Sequence, residues 1–488
     1  LILSELIKNI PEIRVEGDPS VGIGAIRYDS RLIKPGDLFA AIRGERFDGT
    51  RFIGEAAASG ALAFLVPADA GRETAGTYVF TGNVRQALAL ASRNFFGNPA
   101  ARINVVGITG TNGKTTTSYL VHGVLETFGK KSGLIGTVQY LMGGQVISAA
   151  RTTPESSDLY ALLEGMVQAG CDSCIMEVSS HAIALERVAG LEMKVGVFTN
   201  LTRDHLDFHG DMEGYFKAKA ALFKSGQVQN PVINRDDPYG YRLLQELGSE
   251  SLTFGMKEGD IRPRGEIQGG EWGSRFSLDT PWGEILVDTS LPGRFNVYNI
   301  MASVGACGLL GLETEAISKG LSLVKKIPGR FERVDRGQPW TAVVDYAHTP
   351  DALENLLENA RQITPGRLLV VFGCGGDRDR SKRPVMGEAA LRLADLTFVT
   401  TDNPRGEDPE RIIDEIVEGL GKSEGQWQRV TDRKKAIEMA VKEAKPGDTL
   451  LLAGKGHENY QIIGDRILPF SDVDELKKAI DQTLEMKS

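Results

Sequence analysis

The alternation of apolar and polar positions sorts the chain into short strands and amphipathic helices. Apolar, β-branched runs at 103–108, 173–178 and 195–198 read as buried strands, and apolar recurrence every three to four residues predicts helices at 116–128 and 157–169. Ahead of these, strand patterns at 25–28, 37–41, 63–66 and 77–80 alternate with helical ones. Behind them, 341–344, 367–372, 396–400 and 449–452 read as strands, with helices after Pro350 and from Glu410 between them. That order is doubly wound, with a parallel sheet. The stretch 229–291 alternates as exposed strands do, and 293–310 opens an alanine- and glycine-rich helix. A length of 488 residues exceeds one core and fits about three domains at the usual ~150 residues each. The expected fold is α/β in three domains: a small α/β domain at 1–99, a central domain with a mostly parallel sheet at 100–327, and a Rossmann-like domain at 328–488.

Between the strand at 103–108 and the helix at 116–128 stands Gly110-Thr111-Asn112-Gly113-Lys114-Thr115-Thr116. Free N–H groups of a first helical turn, together with the helix dipole, favour an anion there. Gly110 and Gly113 let the backbone approach a phosphate, Lys114 reaches its β and γ oxygens, and the Thr115 hydroxyl is placed to ligate Mg2+. Two residues separate the glycines where the standard P-loop has four, so this is a variant phosphate cradle.

Other polar groups also gather after predicted strands. Glu177 ends an apolar strand, where it either holds Mg2+ near a nucleotide or pairs with a buried arginine, because an unpaired buried carboxylate is costly. The segment 199–210, with Asp204, His205, Asp207 and His209, offers a metal or phosphate edge. Tyr215, Lys219, Leu222 and Phe223 fall at i, i+4, i+7 and i+8, so Lys219 shares the apolar face while Lys217 lies opposite with Ala220. Desolvation lowers a lysine's pKa, leaving an amine able to take up CO2 as a carbamate; the alternative is that Lys219 snorkels. Asn299 reads a base edge or caps a helix. In the last domain, polar clusters follow the strands at 345–350, 373–378, 402–405 and 454–458, where such sheets bind ligands. Gly373 to Arg378 is no dinucleotide fingerprint, since Arg378 stands where the third glycine is needed. The polar groups at 28–31 and 44–49 are weak signals read as solvated loops.

Composition removes several function classes. A formal charge of -9 argues against nucleic acid or an anionic membrane surface as partner. No apolar run approaches ~18 residues, and residues 1–15 are not expected to be a signal peptide. The four cysteines, Cys171, Cys174, Cys307 and Cys374, lack zinc spacing and are expected as core thiols in a reducing cytoplasm.

Together, Gly110 to Thr115, Tyr28 to Arg31, Glu177 to His181, Thr199 to Asp207 and Asp402-Asn403-Pro404-Arg405 resemble the motifs of the Mur ligases, the ATP-dependent amide-forming enzymes of peptidoglycan precursor synthesis. The likeness covers essentially the whole chain and explains the irregular glycine spacing. It implies a UDP-binding first domain, a P-loop ATPase second domain and an amino-acid-binding third. As substrates it implies ATP, UDP-MurNAc-L-Ala-D-Glu and meso-diaminopimelate, with Mg2+, in a cytoplasmic protein expected to act as a monomer in building the cell wall. By the resemblance Ser30 binds the uridine diphosphate portion, and Thr152, Thr153, Ser179 and Arg187 hold the muramoyl dipeptide. Gly110 to Thr116, Asn299, Arg330 and Asp345 contact ATP, while Thr115, Glu177, His205 and Lys219 hold Mg2+, Lys219 as N6-carboxylysine. Lys114, Lys219, His205, Glu177 and Arg330 carry the catalysis. Leu185 stands where some relatives have a substrate-touching glutamine. For the amino acid the resemblance names Arg378, Asp402, Asn403, Pro404, Arg405, Gly454 and Glu458. Arg405 with Arg378 suits a carboxylate, and Glu458 suits an ammonium group. Lysine, lacking diaminopimelate's second carboxylate, leaves an arginine unpaired. The rivals are a lysine-adding sister enzyme, a folylpolyglutamate synthetase and a P-loop regulatory ATPase.

Overall fold

The computed structural model describes residues 1–44, 47–248, 250–270, 273–421 and 426–485, so Glu45 and Arg46 of the 44–49 motif lie outside the described residues. Three α/β sheet systems are gathered into two compact units. One unit is formed by Leu1–Thr109, Gly129–Val197 and Ala218–Pro231, the other by Gly110–Phe128, Phe198–Lys217 and Val232–Ser488.

In the first unit, five strands run in the order Ile13–Glu16, Thr77–Thr81, Ala63–Pro67, Leu38–Ala40, Ile26–Arg27. All neighbours are parallel except the first pair. Both faces are covered, which is why Ala63–Pro67 and Thr77–Thr81 are buried at every position and read as continuous apolar runs. The same unit holds the strand Asn104–Thr109 beside Ser173–Glu177 and then Ser132–Ile135, parallel, followed by the antiparallel strands Gln139–Met142 and Gln145–Ser148. Gly107 fits this core because a Cβ there would stand 2.3 Å from Met193 Sδ.

In the second unit, the sheet order is Glu332–Arg333, Thr341–Asp345, Thr449–Ala453, Leu368–Phe372, Leu396–Val399, Trp427–Arg429. Every pair after the first is parallel, and apolar clusters cover both faces. The last central strand inserts between two earlier ones, so the order reverses there and the loops after Asp345, Phe372 and Ala453 open on one edge, as doubly wound sheets do at ligand sites.

The expectation of exposed strands over 229–291 needs correction. Pro238–Leu247 is a helix, capped by the Asp237 carboxylate and ended by Gly248 at φ 56°. Asp-Pro before an apolar recurrence and glycine after it are start and stop signals that outweigh local alternation. The rest, Arg262–Gly270, Gly273–Thr280 and Gly283–Thr289, forms the expected antiparallel sheet. All four cysteines are buried and free. Among the described residues no helix is long and apolar enough to cross a membrane.

Candidate active site

The helix Lys114–Thr127 starts two residues before its expected boundary, with Gly113 as its cap at φ 87°. That left-handed φ suits glycine, and a Cβ there would lie 2.3 Å from Asn299 Oδ1. Asn299 sits inside the helix Arg294–Leu309, so it is not a helix cap; it backs the loop and donates to Asn296 Oδ1. The segment 199–202 clamps the loop from another side. Thr111 N–H donates to Asn200 O at 2.9 Å, Asn112 N–H to Asn200 Oδ1 at 2.9 Å, and the Thr199 hydroxyl to Asn112 O at 2.6 Å. The Lys114 ammonium donates to the carbonyls of Gly110 and Thr111, at 2.9 and 2.8 Å.

The loop is also joined to the C-terminal sheet within the same unit. Asn112 Nδ2 donates to Asp351 Oδ2 at 2.7 Å, and Arg330 Nη2 to Thr115 Oγ1 at 3.0 Å. The Arg330 guanidinium lies over the Tyr346 ring, 4.7 Å from its centroid. Asp345 accepts from the N–H groups of Phe331 and Ala347; burial pushes its carboxyl above the usual range, and the Arg330 charge opposes that shift. His205 occupies the left-handed region at φ 54°, its Nε2 3.3 Å from Asp204 Oδ2. Burial works to raise the Asp204 carboxyl, but His205, His348 and Lys382 together hold it below the usual range.

At the strand ends beyond, Arg405 adopts φ 51°, and its backbone is fixed by bonds to Ile462 O and from Gly464 N–H. Its Nη1 donates to Gly376 O at 2.8 Å. Arg378 is exposed as a residue, but its guanidinium, which donates to Asp377 O at 2.9 Å, is partly desolvated; that desolvation and then the Arg405 charge lower its pKa, so the two guanidiniums share one field. Lys455 is fully buried and donates to Glu458 at 3.0 Å and to Asn403 Oδ1 at 3.3 Å, with Asp402 at 3.5 Å. Glu458, expected to receive a substrate ammonium, thus already has one cation. Burial, with Asp402 adding to it, still raises its pKa.

A second constellation forms in the other unit. Glu177 is buried, and its carboxylate accepts from Thr137 N–H and Oγ, both at 2.9 Å. Gly136 makes room for it, since a Cβ there would be 2.4 Å from Glu177 Oε1. Thr137 reaches Thr152 Oγ1 at 3.1 Å; Thr153 donates to Glu177 O at 2.9 Å and accepts from Ser179 N–H at 3.0 Å; Arg187 Nη1 donates to Thr153 O at 3.2 Å. Thr152, Thr153, Glu177, Ser179 and Arg187, chosen from sequence, therefore meet in one network. Ser30 lies apart from it, its hydroxyl bonded to Glu55 at 3.2 Å. Lys219 is buried in the helix Met212–Lys224, while Lys217 faces solvent with Glu213, as the helical spacing requires. Ala220, expected opposite Lys219, is buried too.

Three family models match in chain order: the Mur ligase family catalytic domain over residues 22–96, the Mur ligase middle domain over 108–307, and the Mur ligase glutamate ligase domain over 329–456. The chain belongs to the Mur ligase family. Its relatives within that family include a UDP-N-acetylmuramoyl-L-alanyl-D-glutamate–2,6-diaminopimelate ligase of Solibacter usitatus, 46% identical and 92% covered in each chain. The Clostridium tetani ligase of that name is 41% identical over 98% of this chain and 99% of its own. A solved structure of a ligase with the same name is 31% identical, covers 99% of both chains and superposes with a TM-score of 0.69. The Mur ligase fold explains why three α/β sheet systems recur along one chain.

Sequence reasoning missed Thr137, the 199–202 clamp as a partner of the loop, Asp351 and Lys455. The first three are ordinary polar residues whose role is created only by contact across many residues. Lys455 carried a signal, a lysine between two glycines after an apolar strand.

Proposed function

We propose that the chain joins meso-diaminopimelate to the D-Glu side-chain carboxylate of UDP-MurNAc-L-Ala-D-Glu in peptidoglycan precursor synthesis, driven by ATP. The chain is an ATP-dependent ligase of the Mur family, and the names of the relatives described above support the substrate pair. The observation that carries the chemistry is the bond from Arg330 to Thr115, which ties a phosphate loop to sheet edges bearing Arg405, Lys455 and Glu458.

A carboxylate is a poor acyl donor. The γ-phosphoryl group of ATP passes to the glutamate carboxylate, giving an acyl phosphate and ADP. The amine of diaminopimelate attacks the acyl carbon, a tetrahedral intermediate forms, and phosphate leaves as the amide is made. Lys114 and Arg330 offset the charge gathered on the phosphoryl oxygens. The main-chain N–H groups at the start of Lys114–Thr127 add oriented dipoles. Arg405 and Arg378 take the distal carboxylate of the amino acid; Asp402 and Glu458 take its ammonium, with Asn403, Pro404 and Gly454 shaping the turn. Ser30 serves the uridine diphosphate end, and Thr152, Thr153, Ser179 and Arg187 the dipeptide.

Among the described residues no three His, Cys, Asp or Glu side chains lie close enough to hold a metal ion. The oxygen donors on the page are the Thr115 hydroxyl at the phosphate loop and, in the other unit, the buried Glu177 carboxylate, both of the kind Mg2+ takes. Thr115 and His205 in one unit, and Glu177 and a carbamate on Lys219 in the other, are the residues proposed to hold Mg2+, which would supply charge neutralisation during phosphoryl transfer. The reaction belongs in the cytoplasm, where ATP is available, and the acting species is a monomer. The test is phosphate release with the UDP-muramoyl dipeptide and, in turn, meso-diaminopimelate, lysine, ornithine or no amino acid. Release dependent on diaminopimelate supports the reading; release indifferent to any amino acid removes it.

A further inference from the structure

Glu155 stands at the cap position of the helix Ser156–Gln168, yet its side chain makes no capping bond. It turns instead into a nest of arginines. Its Oε1 lies 2.8 Å from Arg187 Nε and 3.2 Å from Arg151 Nη1, and its Oε2 lies 3.4 Å from Arg85 Nη1. Glu155 and Arg187 are buried, Arg85 is partly covered and Arg151 is half exposed. The three arginines come from three places: Arg85 from the helix Val84–Phe95, Arg151 from the loop before the capped helix, Arg187 from the turn after Ser180–Ala184. Around this group stand one further carboxylate, Asp158, and Tyr28, whose hydroxyl donates to Asp158 at 2.7 Å.

Glutamate is not a usual capping side chain, and here its carboxylate is directed at the guanidiniums. Arg187 Nε, although 2.8 Å from Glu155, has no well-aligned acceptor, and its Nη1 is tied to Thr153 O at 3.2 Å. Glu155 therefore holds the Arg187 fork by charge while leaving one of its N–H directions unsatisfied. Three guanidiniums against two carboxylates leave the group positive, as recognition of an anionic ligand requires.

Resting on the proposed function, we infer that Glu155 is a positioning residue for the dipeptide substrate. It fixes Arg187, with Arg85 and Arg151 as counter-charges, so that the guanidinium meets a free carboxylate of the terminal glutamate. Glu155 itself does not touch the reacting atoms.

The experiment is steady-state kinetics on the full chain with Glu155→Gln, Glu155→Asp and Arg85→Met, each checked by thermal melting. For Glu155→Gln the KM for the UDP-muramoyl dipeptide is expected to rise about tenfold, with kcat and the KM values for ATP and diaminopimelate within twofold of wild type. Glu155→Asp, which keeps the charge, recovers part of that loss. Arg85→Met raises the same KM two- to fivefold, and it decides the matter if Glu155→Gln does not fold. Unchanged dipeptide KM in the folded variants, or a fall in kcat for all substrates that tracks the melting temperature, overturns the inference. A wild-type chain that joins no amino acid to the dipeptide overturns the proposed function instead.

Discussion

Arg330 donates through Nη2 to the Thr115 hydroxyl at 3.0 Å, across 215 residues of sequence, and stacks on Tyr346 as it does so. One guanidinium thus touches the start of the phosphate-loop helix and the edge of the C-terminal sheet. Arg330→Met is expected to lower kcat by about 10²–10³, the usual cost of removing one preorganised charge from a phosphoryl-transfer site. Arg330→Lys recovers little, because an ammonium neither forks nor stacks as a guanidinium does. Coupled phosphate-release assays at saturating ATP check both; a lysine variant with full kcat would reject the geometric argument.

Lys219 is buried on the apolar face of its helix, and a carbamate on its side chain is part of the proposed mechanism. In the chain equilibrated with 13C-bicarbonate, a carbamate carbon resonance is expected in wild type and absent in Lys219→Arg. Activity of the wild type should fall on rigorous removal of CO2 and return on its addition. A spectrum without that resonance in active enzyme removes the carbamate from the mechanism.

Arg405 is held in a left-handed conformation by two backbone bonds, and its guanidinium is fixed by donating to Gly376 O at 2.8 Å. Arg405→Ala should cut kcat/KM for meso-diaminopimelate roughly 10–100-fold, the value of one or two charge-assisted hydrogen bonds, while leaving the low rate with lysine unchanged. Equal losses with both amino acids would mean that Arg405 supports the loop and does not read the distal carboxylate.

Glu458 provides a pH dependence with a definite sign. Burial raises its pKa in the folded chain, so the folded state binds the proton more tightly than the unfolded one. Its contribution to stability is full below the ordinary carboxylate range and is lost as pH rises through the raised folded value. Glu458→Gln should flatten the melting temperature across that window. Because an ammonium ligand prefers the ionised form, the KM for diaminopimelate should climb as pH falls through the same window. Melting curves and kinetics in matched buffers measure the two slopes, and parallel slopes in wild type and variant would exclude Glu458 as the titrating group.

Much of this protein follows from order along the chain. Strands such as Asn104–Thr109 and Leu368–Phe372 were legible because strands buried on both faces are continuously apolar whatever packs on them. The phosphate loop was legible because its chemistry is local: two glycines, a lysine and a hydroxyl at one strand-to-helix corner. Helical period placed Lys219 on the apolar face but left a snorkelling side chain open, and its burial came from the fold. Contacts of long sequence separation were not legible, since no local pattern marks which threonine or carboxylate will meet it. The tertiary structure alone set Asn299 against Gly113, Asn112 on Asp351, Lys455 between Asp402 and Glu458, and Glu155 among three arginines. Periodicity encodes which face of an element is buried; charge pairing between elements depends on how those faces are brought together, and only the folded chain determines that.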